Sequence, residues 1–303
     1  MKITAIIPTK NRVADLLKAV DSVCTQECLP NELIVVDQSS TEAGRELVVA
    51  MMENMGSNKI NLIYIYDPEI TGLVDAKRVG VSRSSGDMIC FLEDDIILEP
   101  DYFKAMANAF HNDPKMMGCC GVVTNLPDLS VHYVRIFHLF HRGIFHDPRV
   151  GVHGYTGDEL QELIPSNYLS GGTSAYRREV FDKVPFDLAN GFFMLEDIDF
   201  STRAVREFGA ENFFINTSAR LRHMMSPVNR AQLALRYRRK LKEFICFYKK
   251  NRRHKYAFIS LLWLLCGLAL ESVLVAISHR SWNPIKGLSI GVMDGIRWKV
   301  NKA

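Results

Sequence analysis

Cysteine is scarce and unpatterned. Cys24, Cys28, Cys90, Cys119, Cys120, Cys246 and Cys266 make an odd number with no paired C-x-x-C units, so neither a disulfide framework nor a zinc site is implied. Proline supplies only 11 of 303 residues, and with 48% hydrophobic and 23% charged side chains the composition excludes a disordered or collagen-like chain. Glycine-rich phosphate loops are missing. There is no G-x-G-x-x-G after the first apolar run and no G-x-x-x-x-G-K-[ST], which argues against a dinucleotide dehydrogenase and a P-loop NTPase. No internal repeat or low-complexity tract is present. The first apolar run, about five residues before Pro8 and Lys10, is too short for the core of a signal peptide, so a cytosolic origin with reduced thiols is expected.

Excess charge of one sign also looks absent, at a formal +3, but that total hides two opposed parts. Residues 230–255 hold 11 Lys/Arg against Glu243 alone, residues 256–303 are again net basic, and residues 1–229 carry 21 basic and 31 acidic side chains. An acidic body of residues 1–229 is therefore joined to a basic and apolar C-terminal region of residues 230–303, and these are the two domains expected.

Within the body, short β-branched apolar runs at residues 3–7, 33–36, 62–66 and 88–92 alternate with helical spacing at 12–23, 41–55, 73–84 and 101–112. Such alternation predicts an α/β fold with a mostly parallel, Rossmann-like central sheet flanked by helices. The runs are continuously apolar, as strands covered on both faces must be. Asp101, after Pro100, is the expected cap of the fourth helix. Residues 125–167 have no clean period and read as a long loop region with short elements, which in compact enzymes is often a lid or specificity segment. A Gly-Gly turn at 171–172, a helix after Glu196 and a β-like run at 212–218 follow.

In an open parallel sheet ligands bind beyond the carboxyl ends of the strands. Each of the four runs ends in polar residues: Pro8-Thr9-Lys10-Asn11-Arg12, Asp37-Gln38-Ser39-Ser40, Asp67-Pro68-Glu69 and Glu93-Asp94-Asp95. One such ending is equally a helix cap. Three consecutive acids repel one another unless a cation offsets them, and hard carboxylate oxygens select Mg²⁺ or Mn²⁺. The plainer alternative, an acidic first turn for the next helix, is weakened by Pro100, which delays that helix. A metal held by one or two carboxylates usually completes its shell with phosphate oxygens, so a nucleoside diphosphate or a similar ligand is expected.

Taken in order, Ile6-Ile7-Pro8-Thr9-Lys10-Asn11-Arg12, Val35-Val36-Asp37, Gly72-Leu73-Val74-Asp75-Ala76-Lys77-Arg78, Phe91-Leu92-Glu93-Asp94-Asp95, Gly171-Gly172 and Leu195-Glu196-Asp197 resemble family 2 glycosyltransferases of the GT-A fold, over roughly residues 3–225. The resemblance implies inverting transfer of a sugar from a nucleotide-sugar donor. It implies a nucleotide-sugar site of Pro8, Thr9, Arg12, Asp37, Lys77, Glu93 and Asp94, with Thr9, Arg12 and Asp37 at the nucleoside. Lys77 stands where many relatives have Arg, and meets a phosphate as a point charge without Arg's bidentate fork. By the same resemblance Asp95 and His223 hold the metal, Asp197 is the general base and Glu196 orients it or holds the acceptor. Gly171 and Gly172 would let backbone approach an acceptor sugar, although a plain tight turn explains them equally well. A charged first turn of a helix would likewise explain the acids at 196–199.

His138, His141, His146 and His153, set among Phe137, Phe140 and Phe145, fit no common zinc spacing; aromatic stacking on acceptor or lipid is the better expectation. The basic strip could track nucleic-acid phosphates, but the apolar residues 257–270 follow it directly, and between Lys255 and His279 Glu271 is the single charge. Basic clusters beside an apolar segment fit an anionic leaflet, so the expected partners are a membrane surface and a lipid-linked or surface-glycan acceptor, not nucleic acid. Because the tail after residue 280 is itself basic, a helix or hairpin lying in the inner leaflet is expected, peripheral or monotopic on the cytoplasmic face, with Trp263, Trp282 and Trp298 as anchors. The alternatives are a buried helix in a soluble subdomain, a non-catalytic nucleotide-sugar-binding protein on the same fold, and a sugar nucleotidyltransferase. The last would need a glycine-rich loop where residues 8–12 stand.

Overall fold

The structure is a computed structural model and describes all residues except 57–58, 127–128, 153–161, 227, 229–231 and 302–303. His153 and the expected 229/230 domain boundary lie outside the described residues. Strand β1 (Ile3–Thr9), helix α1 (Val13–Cys24), β2 (Glu32–Asp37), α2 (Ala43–Asn54), β3 (Asn61–Tyr66), α3 (Leu73–Arg83) and β4 (Met88–Phe91) follow the alternation expected from sequence. The chain continues through β5 (Ile96–Leu98), α4 (Tyr102–Asn112), β6 (Gly118–Val123), α5 (Val131–Phe140), β7 (Leu163–Pro165), β8 (Ser174–Arg177), α6 (Glu179–Lys183), α7 (Glu196–Phe208), β9 (Phe213–His223), α8 (Leu233–Asn251), α9 (Ala257–Ser278) and α10 (Asn283–Arg297).

The strands form one sheet in the order β3-β2-β1-β4-β8-β6-β9-β5, with β7 paired to β9. From β3 to β4 all neighbours are parallel. Beyond β4 the sheet is mixed, because β8 runs antiparallel to both β4 and β6 while β9 is parallel to β6. The chain steps from β1 outward to β2 and β3, then returns to place β4 on the other side of β1. Chain order therefore reverses between β1 and β4, which is where an open α/β sheet leaves a crevice.

The apolar runs separate into two cores because neighbouring side chains on a strand face opposite ways. Ala5, Ile7, Leu33, Val35 and Cys90 pack with α1, α2 and α4 on one face. Ile6, Ile34, Val36, Ile89 and Phe91 pack with Ala76, Val180, Phe200 and Ala204 on the other. Two expectations are corrected. Asp101 occupies the cap position of α4 but makes no side-chain capping bond. Residues 125–167 contain a regular ten-residue helix, α5, with Ser130 as its hydrogen-bonded cap. None of the α5 side chains is buried, so the inward stripe that reveals a helix in a sequence is missing.

By contacts the chain divides into two compact units. The first is Met1–Asp128, Gly151–Phe186 and Phe200–Val228, and the second is Leu129–Val150, Asp187–Asp199 and Asn229–Ala303. The second unit has its own core, in which Ile144, Phe145, Phe192 and Leu195 join Leu241, Phe244, Ile245 and Phe247 of α8 and Leu261, Leu264 and Leu268 of α9. Helix α10 approaches the α8 backbone through Gly287 and Gly291, and Gly295 packs on the Ile245 side chain; a Cβ on Gly291 would stand 2.4 Å from the Arg238 carbonyl oxygen. A small residue every fourth position permits this closeness.

Under the N-terminal ends of β1 and β2, Glu32 is buried but fully engaged. It accepts from Thr4 Oγ1 at 2.6 Å, the Ser85 amide at 2.8 Å, Lys2 Nζ at 3.1 Å and the Ser85 hydroxyl. Burial works against its charge, yet these donors hold the carboxyl at about 2, below its ordinary 4.5. A depressed carboxylate contributes stability that is fully present above its unfolded value and lost as pH falls toward its folded value. Denaturation between pH 7 and pH 2 is expected to show wild type losing on the order of 2–3 kcal/mol more than Glu32→Gln, mostly below pH 4.5. Parallel curves for the two proteins would contradict this.

Candidate active site

In the first unit the β1 and β4 exits are joined directly. Thr9, the last residue of β1, donates its hydroxyl to Asp94 Oδ2 at 2.8 Å, and Arg12 Nη1 donates to Asp94 Oδ1 at 3.0 Å. Burial pushes the Asp94 carboxyl up, and Thr9 and Arg12 oppose that by binding its charged form. Arg12 also lies 3.6 Å from Asp95 and donates Nη2 to the Val228 carbonyl at 2.7 Å. Between Thr9 and Arg12 the chain turns through Asn11 at φ +56°, a left-handed conformation that asparagine tolerates. Asn11 ties this turn to the β2 exit, donating its amide to Ser39 Oγ at 2.7 Å and accepting the Ser40 amide on Oδ1 at 3.0 Å.

On the same strand exit, Glu93 and Asp95 converge on His223 at the end of β9. His223 Nε2 is 3.1 Å from Asp95 Oδ1 and 3.3 Å from Glu93 Oε2. The antiparallel pairing of β5 with β9 brings them together, with Ile96 opposite His223. Asp95 Oδ2 accepts the Ser226 amide at 2.8 Å. Although burial alone would raise the Asp95 carboxyl, His223 and the Ser226 N–H hold it low. One ligand atom from each of Glu93, Asp95 and His223 lies within 4.8 Å of the others, which suits a shared divalent ion. Two carboxylate oxygens and an imidazole nitrogen are a chemically consistent donor set for it.

The remaining expected donor-site residues are placed as follows. Pro8 is buried in β1 opposite Val36. Asp37 is 1% exposed and engaged on both oxygens, by the Ser39 amide at 2.9 Å and the Tyr64 hydroxyl at 2.7 Å, so it shapes the β2 exit. Burial and Asp37 together push the Tyr64 hydroxyl up. Lys77 is buried, donates to the Gly171 carbonyl at 2.7 Å and lies 5.1 Å over the Phe91 ring. Gly172 packs against Glu93: a Cβ there would stand 2.3 Å from Glu93 Cγ, so the lack of a side chain is required by a neighbour within the unit. Gln38, beside Asp37 at the β2 exit, has a buried amide oxygen with no protein partner among the described residues.

In the second unit Asp197 lies in the first turn of α7. Its Oδ2 accepts from Arg149 Nη1 at 2.7 Å and its Oδ1 from the Ile198 amide at 2.8 Å. Arg149 is buried and also grips Asp147 through Nε at 2.9 Å and Nη2 at 2.8 Å. Burial works against the Arg149 charge, but Asp197 and Asp147 more than offset it. Sequence reading missed Arg149, which is 48 positions from Asp197 in a stretch without periodicity. Glu196 precedes Asp197 in the same turn and is partly buried. Of the histidines of 138–146, His141 stacks on Phe137 at 3.7 Å and His138 lies 5.1 Å from His146. Burial pushes the His141 imidazole down to about 4.

The α/β fold with an acidic, metal-competent strand exit agrees with the resemblance to GT-A glycosyltransferases. The family described as glycosyl transferase family 2 matches over residues 4–185, and the chain belongs to that family. It is 27% identical over 213 residues to the uncharacterized glycosyltransferase YwdF of Bacillus subtilis, covering 69% of each chain. In fold it is similar to the mannosyltransferase PcManGT of Pyrobaculum calidifontis, solved with GDP-Man and Mn²⁺, at TM-score 0.62 and 14% identity over 98% of this chain and 87% of that one. It is also similar to S. aureus TarS 1–349 in complex with UDP-GlcNAc, at TM-score 0.57 and 15% identity over 97% and 81%.

If Glu93, Asp95 and His223 share one ion, millimolar Mn²⁺ raises the melting temperature of the wild type and EDTA reverses the rise. An ion at about 100 times its Kd adds about 2.7 kcal/mol, a shift of several degrees. The increment is expected to vanish in Asp95→Ala and His223→Ala. Equal increments in all three proteins would place the ion elsewhere.

Proposed function

We propose that the enzyme is an inverting glycosyltransferase that moves a sugar from a nucleoside diphosphate donor to a lipid-linked or surface-glycan acceptor at the cytoplasmic face of a membrane. The observation that carries the donor half is the convergence of Thr9, Arg12, Asp94, Asp95, Glu93 and His223 at the sheet's reversal point. Lys77, which reaches the Gly171 carbonyl at the Gly-Gly turn, is assigned to the donor's phosphates, and Arg12, paired with Asp94, to its nucleoside. A bound divalent ion would offset the charge of the departing diphosphate. The imidazole among its ligands favours Mn²⁺ over Mg²⁺, which prefers oxygen alone.

In the transfer itself, an acceptor hydroxyl oxygen bonds to the anomeric carbon as the bond from that carbon to the phosphate oxygen breaks. The bonding pair leaves with the nucleoside diphosphate, and the hydroxyl proton passes to Asp197. Arg149 pairs with the Asp197 carboxylate and fixes its orientation toward the acceptor hydroxyl in this reading.

The membrane half is supported by the surface of the second unit. Among the described residues α9 is the helix long and apolar enough to cross a bilayer by length and composition. One side of α9 packs inward through Leu261, Leu264 and Leu268. The opposite side leaves Phe258, Ile259, Leu262, Val273, Leu274 and Ile277 exposed. Helix α5 adjoins it, with the Trp263 indole donating to the Leu139 carbonyl at 2.6 Å, and adds exposed Val131, Tyr133, Ile136 and Leu139. A contiguous apolar surface of this kind marks an interaction site. Exposed Arg252, Arg253 and Lys255 stand immediately before α9 and give it an anionic-lipid rim. In this reading α9 lies in the leaflet interface and does not cross it, because the tail after residue 280 is itself basic. Of the expected anchors, Trp263 and Trp282 are exposed, whereas Trp298 packs partly against the unit's core.

Thermal-shift screening of UDP-GlcNAc, UDP-Glc and GDP-Man with Mn²⁺ identifies the donor, and release of its nucleotide then measures turnover. Asp197→Asn is expected to lower kcat by about 100-fold or more with donor affinity retained; full turnover in that variant would remove Asp197 from the mechanism. Flotation with phosphatidylserine vesicles is expected to capture the protein at low salt and release much of it at high salt. Absence from both anionic and neutral vesicles would overturn the membrane assignment.

A further inference from the structure

The basic strip is only partly a surface. Within the second unit, side chains of α8 reach the segment of residues 187–199 at three places. Glu243, the one acid of the strip, is buried mid-helix and receives three successive backbone N–H groups. The Phe193 amide donates to Oε1 at 3.1 Å, and the Met194 and Leu195 amides donate to Oε2 at 2.7 and 3.0 Å. Consecutive N–H groups converging in this way form an anion nest, here filled by a carboxylate of the same chain. They lead directly into α7, whose first bond runs from the Asp199 amide to the Leu195 carbonyl at 2.9 Å. Burial raises the Glu243 carboxyl while the three N–H groups work to keep it charged.

Two turns further along the same face of α8, Lys250 spans the two ends of the segment. It pairs with Asp187 at 2.8 Å and with Asp199 at 2.6 Å, and its side chain is 11% exposed. Between these ties, Lys250 lies 5.1 Å over Phe192, and Arg239 lies 4.7 Å over Phe193. Asp197 sits inside this clamp, two residues before Asp199 and two after Leu195. Its own carboxylate contacts, Arg149 and Ile198, orient the side chain, while the clamp sets where the backbone beneath it stands.

We infer that Glu243 and Lys250 are positioning residues for Asp197, so that α8 acts through the turn carrying the general base as well as in the unit's core. This rests on Asp197 being the base. A purely structural role predicts lower stability with unchanged turnover per folded molecule. A positioning role predicts that kcat falls while donor affinity does not, since a displacement of about 1 Å at a reacting group costs on the order of 100-fold.

The test uses the full chain, as Glu243→Ala, Lys250→Ala and Lys250→Arg, with Lys242→Ala as a control on the same helix. Hydrogen–deuterium exchange over residues 193–199 is expected to accelerate in Glu243→Ala well before global unfolding, and to match wild type in Lys242→Ala. Turnover of whichever of UDP-GlcNAc, UDP-Glc or GDP-Man the wild type consumes is measured far below the melting temperature. There Glu243→Ala and Lys250→Ala are expected to lose about 10- to 100-fold in kcat at unchanged donor KM, with Lys250→Arg recovering most of it. In an Asp197→Asn background the Glu243→Ala loss should nearly disappear, because the two changes act on one group. Wild-type protection at 193–199 in Glu243→Ala, or wild-type kcat in both alanine variants, overturns the inference. If Asp197→Asn alone turns over normally, it is the base assignment that fails, whatever the exchange data show.

Discussion

The hydrogen bond from Thr9 to Asp94 joins the ends of two parallel strands, β1 and β4, where chain order reverses within the parallel part of the sheet. The placing of Asp94 by Thr9 and Arg12 sets the acidic part of the donor site. Because Asp94 is turned inward to meet Thr9 and Arg12, its neighbours Glu93 and Asp95 are left to meet His223 from the far end of β9. Three adjacent acids would otherwise repel one another. Arg12 offsets the middle one and reaches the third, and His223 lies against the outer two, so the cluster is held together by side chains widely separated in sequence.

This division of tasks could be read in part before any coordinates. Strands β1 to β4 and their helices were legible because a continuously apolar, β-branched run flanked by helical spacing has few other solutions in a folded chain. The acids of 93–95 were legible for the same reason, standing where a parallel strand must end. The short strands β5, β6 and β8 were not. Gly118-Cys119-Cys120-Gly121 has little β-branched character, and its place in the sheet is set by pairing with Ser174–Arg177 and with β9, neither of which is local. Arg149 escaped for a similar reason, since its meaning lies in Asp147 and Asp197 together. Helix α5 has no buried face to impose a period.

Charge counting located the basic strip but not its use. Lys250 is held by Asp187 and Asp199, Lys240 by Glu271 and Arg238 by Asp294. Lys249 is spent on the Ile296 and Trp298 carbonyls, which fastens the tail after α10 to α8. What remains exposed, chiefly Arg236, Arg252, Arg253 and Lys255, is a smaller footprint than the summed charge indicates. The exposed pairs, such as Arg238 with Asp294, contribute little stability. The buried ones, around Lys250 and Arg149, are costly to break on one side only, because the partner charge is then stranded.

We propose that a nucleoside diphosphate and a divalent ion meet at the β1 and β4 exits. Pulsed electron paramagnetic resonance of the protein with Mn²⁺ and UDP or GDP tests it most directly. Expected is one ¹⁴N coupling that disappears in His223→Ala, together with ³¹P coupling that appears only when the nucleotide is added. Bound Mn²⁺ with neither a histidine nitrogen nor a phosphate phosphorus in its shell would contradict the assignment of Glu93, Asp95 and His223.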